Sequence, residues 1–498
     1  MEMCQLRLVF AMLAAKRSQP RRDCACFSGG SQWLTLWLSD LTQFTCVWGS
    51  RLRSWAPVLI LSFPGVVNAQ DKAINPAKIP IDHFIYIIQE NHSFDNYFGT
   101  YPGANGIPAG TKLADRPDGP RIYKPFHLVG NAVQRDLAHG WESARTAWRD
   151  GAMDGFVWAE WPDALSYYWG TKPYPTPDQN KIQGVPTPTP TPIAAHPPRL
   201  PPPTWVLNTL SYMDYTQIPN YWEYARTYTL CDYFFSSLMG PSQPNHLYTV
   251  AAQAGGLVFN PAQISPITGE EPGTYDFPTM CDLLQAANIT WKYYCGFLSA
   301  LNQPEPQLHT VWNPLPAFKQ FQTNPALMAH LVYTTQFLTD LQSGSLPEVC
   351  WLVPSAEESE HPPYDVTVGM QYVTDLINAV MASPYWSDCA IIVVWDDYGG
   401  FYDHVPPQQT DRYGFGPRVP ALVISPYSRA GKVIHTRFDL TSPLKLIEKR
   451  FRLKPLTDRD ADARDMLDCF DFKQKPLPPD IITPDRKLDF SDMVTTQP

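Results

Sequence analysis

Five short apolar runs constrain this chain more than any other feature: FIYII from residue 84, ITWKYY from 289, VCWLV from 349, AIIVVW from 390 and ALVIS from 421. None shows the sustained polar alternation of a half-solvated strand, so each reads as a strand buried on both faces. Stretches with helical spacing lie between them. Val373, Leu376, Ile377 and Val380 fall at i, i+3, i+4 and i+7, as do Leu247, Val250, Ala251 and Ala254. Buried strands alternating with amphipathic helices predict an α/β fold, with a mainly parallel sheet covered by helices on both faces.

The composition suits that reading. Of 498 residues 44% are hydrophobic, enough for a large core, and the 52 prolines predict many loops around it. The net charge of −10, with no basic run or stripe, argues against nucleic acid as a partner. The tract PTPTPTPIAAHPPRLPPPT, residues 186–204, is predicted to be extended. Strand-like runs flank it on both sides, so residues 183–204 read as a surface excursion within one domain spanning 70–498.

Residues 1–69 read differently. Arg51 and Arg53 precede an apolar stretch from Ala56 to Val67, and Val67-Asn68-Ala69 then offers small residues before Gln70. That layout predicts a secretory signal over about residues 47–69, cut after Ala69, with translation starting near Val47. The stretch is too short, and too broken by Pro57, Pro64 and Gly65, for a transmembrane anchor. The chain is therefore expected to be exported, to the periplasm or beyond. Cys231, Cys281, Cys295, Cys350, Cys389 and Cys469 remain in the mature part, and their spacing fixes no pairing.

Ligands of open α/β sheets bind beyond the carboxyl ends of the strands, which singles out polar residues placed directly after apolar runs. Glu90 and Asn91 follow the first run, and Asp396 and Asp397 follow AIIVVW, with Gly399 and Gly400 allowing a tight turn. Adjacent carboxylates at a buried strand end repel one another unless a cation lies between them. Glu90, Asn91, Asp396 and Asp397 together make a hard oxygen set for a divalent metal cation whose identity the sequence does not fix. Either pair alone also fits a turn or a cap.

A third place is GPSQPNHLYTVAAQAGG from Gly240, where Pro244 suits a first helical turn and Gly255 a helix end. Ser242 then stands at a helix N-terminus, where an anion or an alkoxide is favoured, although a serine there also fits an N-cap. Among the histidines, His361 follows VCWLV in a loop, His139 lies in DLAHGWES, and His404 closes GGFYDHV. His246, beside Asn245, reads as solvent-facing.

IDHFIYIIQENHSFDNYFGTYPG, HGWESARTAWRDGAMDGF, GPSQPNHLYTVAAQAGG, SEHPPYDVTVGMQYV, VVWDDYGGFYDHVPP and GFGPRVPALVISPYSRAGKV, in that order, resemble the bacterial phosphoesterase family that contains phospholipases C and acid phosphatases. The resemblance implies an alkaline-phosphatase-like core and a phosphoserine mechanism. Ser242 becomes the nucleophile, Glu90, Asn91, Asp396 and Asp397 the metal ligands, and His139 and His361 histidines that contact phosphate or leaving group. His404 and Asn245 match family positions with less definite roles, and His309 is a candidate for a further family histidine.

Phospholipase members of that family carry threonine and arginine where this chain has Ser242 and His246, and many extend beyond the segment that ends here soon after residues 465–472. The first expectation is therefore a phosphomonoesterase acting on a soluble phosphate ester. The alternatives are a phospholipase C working at a phospholipid surface and a non-catalytic binding protein of the same fold. No Cys-x-Pro-x-Arg or Ser-x-Pro-x-Arg sequence is present, which disfavours a sulfatase.

Overall fold

The computed structural model describes residues 75–116, 119–161, 201–260, 275–296 and 310–493, with 495 and 498. The chain divides by contact into Met1–Lys72 and Ala73–Pro498, and only the second is described below. The predicted signal at 47–69, residues 183–200 of the proline-rich excursion, and His309 lie outside the described residues.

Eight strands form one sheet: β1 His83–Gln89, β2 Thr229–Cys231, β3 Trp291–Cys295, β4 Leu331–Tyr333, β5 Val349–Val353, β6 Cys389–Trp395, β7 Ala421–Ile424 and β8 Lys432–Ile434. Their spatial order is β8-β2-β7-β6-β1-β5-β3-β4. Only β7 runs against its neighbours β6 and β2; every other adjacent pair is parallel. All five apolar runs thus become strands of a mainly parallel sheet. The three strands that escaped notice, β2, β4 and β8, have three residues each, too few to show a period.

Every residue of β5, β6 and β7 is buried, as is all of β1 after His83. Successive strand residues point to opposite faces, so both faces of the sheet are covered. The lysine within ITWKYY is no exception, because Lys292 Nζ meets Asp340 Oδ2 at 2.6 Å.

Six helices matter for the site: α1 Phe94–Phe98, α2 Trp141–Trp148, α3 Pro219–Thr227, α4 Ser242–Ala251, α5 Val366–Met381 and α6 Ser442–Phe451. Tyr86 and Trp351 are register partners and share one face, where their side chains donate to the carbonyls of Leu440, just before α6, and Thr249 on α4. Gln89 and Trp395, also register partners, lie on the opposite face of the sheet from Tyr86. There they reach Glu360, which Tyr221 of α3 also contacts.

Helix α5 buries Val373, Leu376, Ile377 and Val380 as its spacing predicts, and Asp365 caps its start by accepting from Thr367 N at 2.8 Å. Helix α4 departs from expectation, because all ten of its residues are buried rather than one stripe. It also stops sooner. Ala252 takes the left-handed terminal conformation at φ 54, so Ala254 and Gly255 lie beyond the helix. The six cysteines of this unit are buried free thiols, with Cys231 and Cys469 Sγ 3.6 Å apart.

Helix α6 carries a buried carboxyl whose titration weakens the fold. Burial, then the neighbouring Asp460 carboxyl, push the Glu448 pKa up from 4.5 to about 9, against the pull of Lys445 Nζ 3.7 Å away. A carboxyl with a raised folded pKa leaves stability full below the unfolded value and erodes it as pH climbs to the folded one. Glu448→Gln is therefore expected to unfold at higher urea than the native chain near pH 8, with the gain shrinking toward about pH 5. A urea midpoint shift that does not change with pH contradicts the assignment.

Candidate active site

Strands β1 and β6 are parallel neighbours, with Gln89 opposite Trp395, so Glu90-Asn91 and Asp396-Asp397 leave the same sheet edge side by side. Two backbone contacts lock the ends together: Asp396 N donates to Gln89 O at 2.9 Å, and Asn91 N donates to Asp396 Oδ1 at 3.0 Å. Asn91 sits at φ 60, a left-handed conformation that asparagine tolerates better than most residues. The turn after Asp397 needs glycine, since a Cβ at Gly399 would lie 2.2 Å from Asn91 O.

Glu90, Asn91, Asp396 and Asp397 are all fully buried. Each presents one oxygen without a hydrogen-bond partner: Glu90 Oε2, Asn91 Oδ1, Asp396 Oδ2 and Asp397 Oδ2. Four orphaned buried oxygens in one cluster are costly unless a cation binds them, and the donor set fits a divalent metal. The proton affinities carry the same strain. Burial raises the Glu90 carboxyl well above its usual range, and Asp396 and Asp397 add to it; burial and then Asp396 do the same to Asp397. A bound cation reverses both effects.

Ser242 is the first residue of α4, and Pro241 occupies the N-cap position, so the serine makes no capping bond. Its hydroxyl instead faces Glu90, where it lowers the pKa of the carboxyl. One helical turn on, His246 is wholly buried rather than solvent-facing, because α4 is enclosed on all sides. Its Nε2 lies 2.7 Å from Glu90 Oε1 and 3.8 Å from Asp396 Oδ2.

His139 and His361 meet at the rim of the cradle, ring centres 6.2 Å apart, on either side of Asp136. Each holds its Nδ1 2.6 Å from a main-chain carbonyl, Leu137 O and Pro362 O respectively. A carbonyl only accepts, so Nδ1 carries the proton in both rings and Nε2 is left for chemistry. Burial works to lower the His139 pKa but loses to Asp397, Asp136 and Asp396, which lift it to about 9. The segment is held from behind by Glu160, whose two oxygens accept from Ala138 N at 3.1 and 3.0 Å.

Two sequence candidates stand apart from this group. His404 Nδ1 lies 2.7 Å from Asp95 Oδ2, in a buried cluster where Arg418 also pairs with Asp95 at 3.0 Å and Asp403 at 2.9 Å. The guanidinium already supplies the cation those acids need. Asn245 turns back on its own loop, accepting from Leu238 N at 3.1 Å and donating to Gly240 O at 3.1 Å, and so shapes the approach to Ser242.

Sequence reasoning missed Asp136, Glu160 and Glu360 and misread His246. Two left a signal: Asp136 precedes His139 by three residues, and His246 follows Ser242 by four, which on a helix means the same face. Glu360 is one of several acids in AEESEH, and nothing in the string marks which is buried.

A buried serine at a helix start, four unpartnered oxygens that could hold a metal, and two oriented histidines thus share one edge of an α/β sheet. The profile of the Phosphoesterase family matches residues 81–454, and the chain belongs to that family. It is a hydrolase acting on phosphoric ester bonds. Phospholipase C B of Mycobacterium tuberculosis is 30% identical over 461 residues, covering 80% of this chain and 79% of that protein. Non-hemolytic phospholipase C of Pseudomonas aeruginosa is 27% identical over 463 residues, covering 80% of this chain and 58% of that one. Among solved structures, an alkaline phosphatase superfamily protein from Vibrio parahaemolyticus aligns with TM-score 0.30 and 12% identity over 50% of this chain and 64% of that one.

Proposed function

We propose that this chain is a phospholipase C, cleaving glycerophospholipids between phosphate and glycerol through a covalent Ser242 intermediate. The observation that carries the reading is the similarity of four-fifths of the chain to enzymes named phospholipase C. It reverses the order expected from Ser242 and His246. A serine in place of threonine keeps the same hydroxyl chemistry, and His246 faces the cradle rather than a substrate pocket, so neither exchange selects a monoester.

The surface supports a lipid substrate as well. Ile122 is 55% exposed, Val129 95% and Val368 47%, and these apolar side chains lie on the two segments that lead to His139 and away from His361. Val366 N donates to Asn131 O at 3.0 Å and ties those segments together. No helix among the described residues is long and apolar enough to cross a membrane.

In the first step Ser242 Oγ, having lost its proton to solvent, attacks phosphorus, the bond to the glycerol oxygen breaks, and the headgroup phosphate is left on the serine. Glu90, Asn91, Asp396 and Asp397 would hold a cation, which would supply charge neutralisation and lower the pKa of the attacking hydroxyl. His139, whose Nδ1 is held 2.6 Å from Leu137 O, presents Nε2 to donate a proton to the departing glycerol oxygen. Water then attacks the phosphoserine, with His361 Nε2 as the second proton carrier, and frees the phosphorylated headgroup.

Phosphatidylcholine vesicles and p-nitrophenyl phosphate, assayed side by side, test the reading. The expected result is a kcat/KM at least about tenfold higher for the lipid. A higher value for the soluble monoester returns the phosphomonoesterase reading to first place.

A further inference from the structure

We infer that His246 is a ligand of the cradle's cation, which makes this a mixed nitrogen and oxygen site for a zinc-class transition metal rather than for Mg2+ or Ca2+. The inference rests on reading the four-oxygen cradle as a metal site. It departs from that reading in the kind of ion selected, since hard, all-oxygen sets suit magnesium, calcium or manganese while imidazole suits zinc and its neighbours.

The geometry points to His246 from several sides. It stands one helical turn after Ser242, so the side chain that presents the nucleophile and the imidazole leave the same face of α4. One ligand atom from each of His246, Glu90 and Asp396 falls within 4.8 Å of the other two, and all three residues are wholly buried. Oxygen and nitrogen ligands about 2.0–2.2 Å from one ion stand at separations of this order. Asp396 Oδ1 is already taken by Asn91 N at 3.0 Å, so Oδ2 is the atom left to face the imidazole, and it has no hydrogen-bond partner.

Glu90, Asp396 and Asp397 bring three carboxyls together, and the imidazole seated against them is that of His246, with Nε2 2.7 Å from Glu90 Oε1 and 3.8 Å from Asp396 Oδ2. Nε2 is the ring nitrogen turned toward the carboxylates, and Nδ1 has no hydrogen-bond partner. A nitrogen from His246 beside the carboxylate oxygens of Glu90 and Asp396 matches the donor set to a borderline metal.

Equilibrium dialysis with elemental analysis, on the full chain stripped of metal and then offered Zn2+ and Mg2+, reads the inference without reference to turnover. The native chain is expected to bind Zn2+ in preference to Mg2+. His246→Gln, which keeps a hydrogen-bond donor near Glu90 but removes the imidazole, is expected to weaken Zn2+ at least about tenfold and leave Mg2+ little changed. Unchanged Zn2+ affinity in the variant, or parallel loss of both ions, overturns the role given to His246. A native chain that binds neither ion overturns the cradle itself. X-ray absorption of the native zinc form needs no variant: imidazole scattering around zinc supports the assignment, and its absence refutes it.

Discussion

Ser242→Ala is expected to lower kcat by about ten-thousand-fold or more while the protein stays folded and keeps its metal affinity. The size follows from the role. Without Oγ no covalent phosphoserine forms, and what remains is charge neutralisation and positioning. The innocence of the change toward the fold follows from the helix start. Ser242 is the first residue of α4 and caps nothing, and alanine suits a helix interior better than serine. Its one evident contact is with Glu90, so the expected loss of stability stays within about 1 kcal/mol. Quenched reaction of the native enzyme should yield a phosphorylated peptide containing Ser242, and the variant should yield none. Turnover within about tenfold of native, or a phosphoryl group on another residue, removes Ser242 from the mechanism.

The parts of this site that could be read from the sequence are those that interrupt a strong local pattern. Glu90-Asn91 and Asp396-Asp397 were conspicuous because each ends a continuous apolar strand, and charge at a buried strand end calls for a partner. What the string does not contain is adjacency. That β1 and β6 lie side by side, with Gln89 opposite Trp395, is a fact of sheet order, and only the chemical need of the two acidic pairs for a shared cation hinted at it. His246 was misread because the spacing of α4 suggested one apolar stripe, whereas tertiary packing enclosed all ten residues. His404, read only as a family motif position with a less definite role, is carried by the turn at Gly399 and Gly400 to Asp95 and Arg418.

The second large effect concerns a residue with no place in the chemistry. Glu360 is fully buried and takes φ 70, a strained conformation for a glutamate. Its carboxyl accepts from Tyr221 OH at 2.5 Å, Tyr97 OH at 2.6 Å, Trp395 Nε1 at 3.0 Å and Gln89 Nε2 at 3.2 Å. Trp395 and Gln89 immediately precede Asp396 and Glu90, and His361 immediately follows Glu360, so one carboxyl joins both strand ends of the cradle to the loop that delivers the histidine. Burial raises its pKa to about 7 against the pull of those four donors. Glu360→Ala leaves Tyr221, Tyr97 and Trp395 without an acceptor, at roughly 1–3 kcal/mol each, and Gln89 Nε2 with only Glu358 O at 2.9 Å, and is expected to destabilise the protein by about 4 kcal/mol or more. Glu360→Gln preserves the volume and one acceptor oxygen but turns an amide N–H2 toward the same donors, so about half that loss is expected, in a chain that still folds. In the glutamine variant kcat should fall with His361 displaced, and the zinc affinity should fall too, because both halves of the cradle hang on the same anchor. Urea denaturation of both variants, with zinc dialysis on the second, decides it: a loss below about 1 kcal/mol in Glu360→Ala means that the four donors find other acceptors and that the strand ends hold their geometry without it.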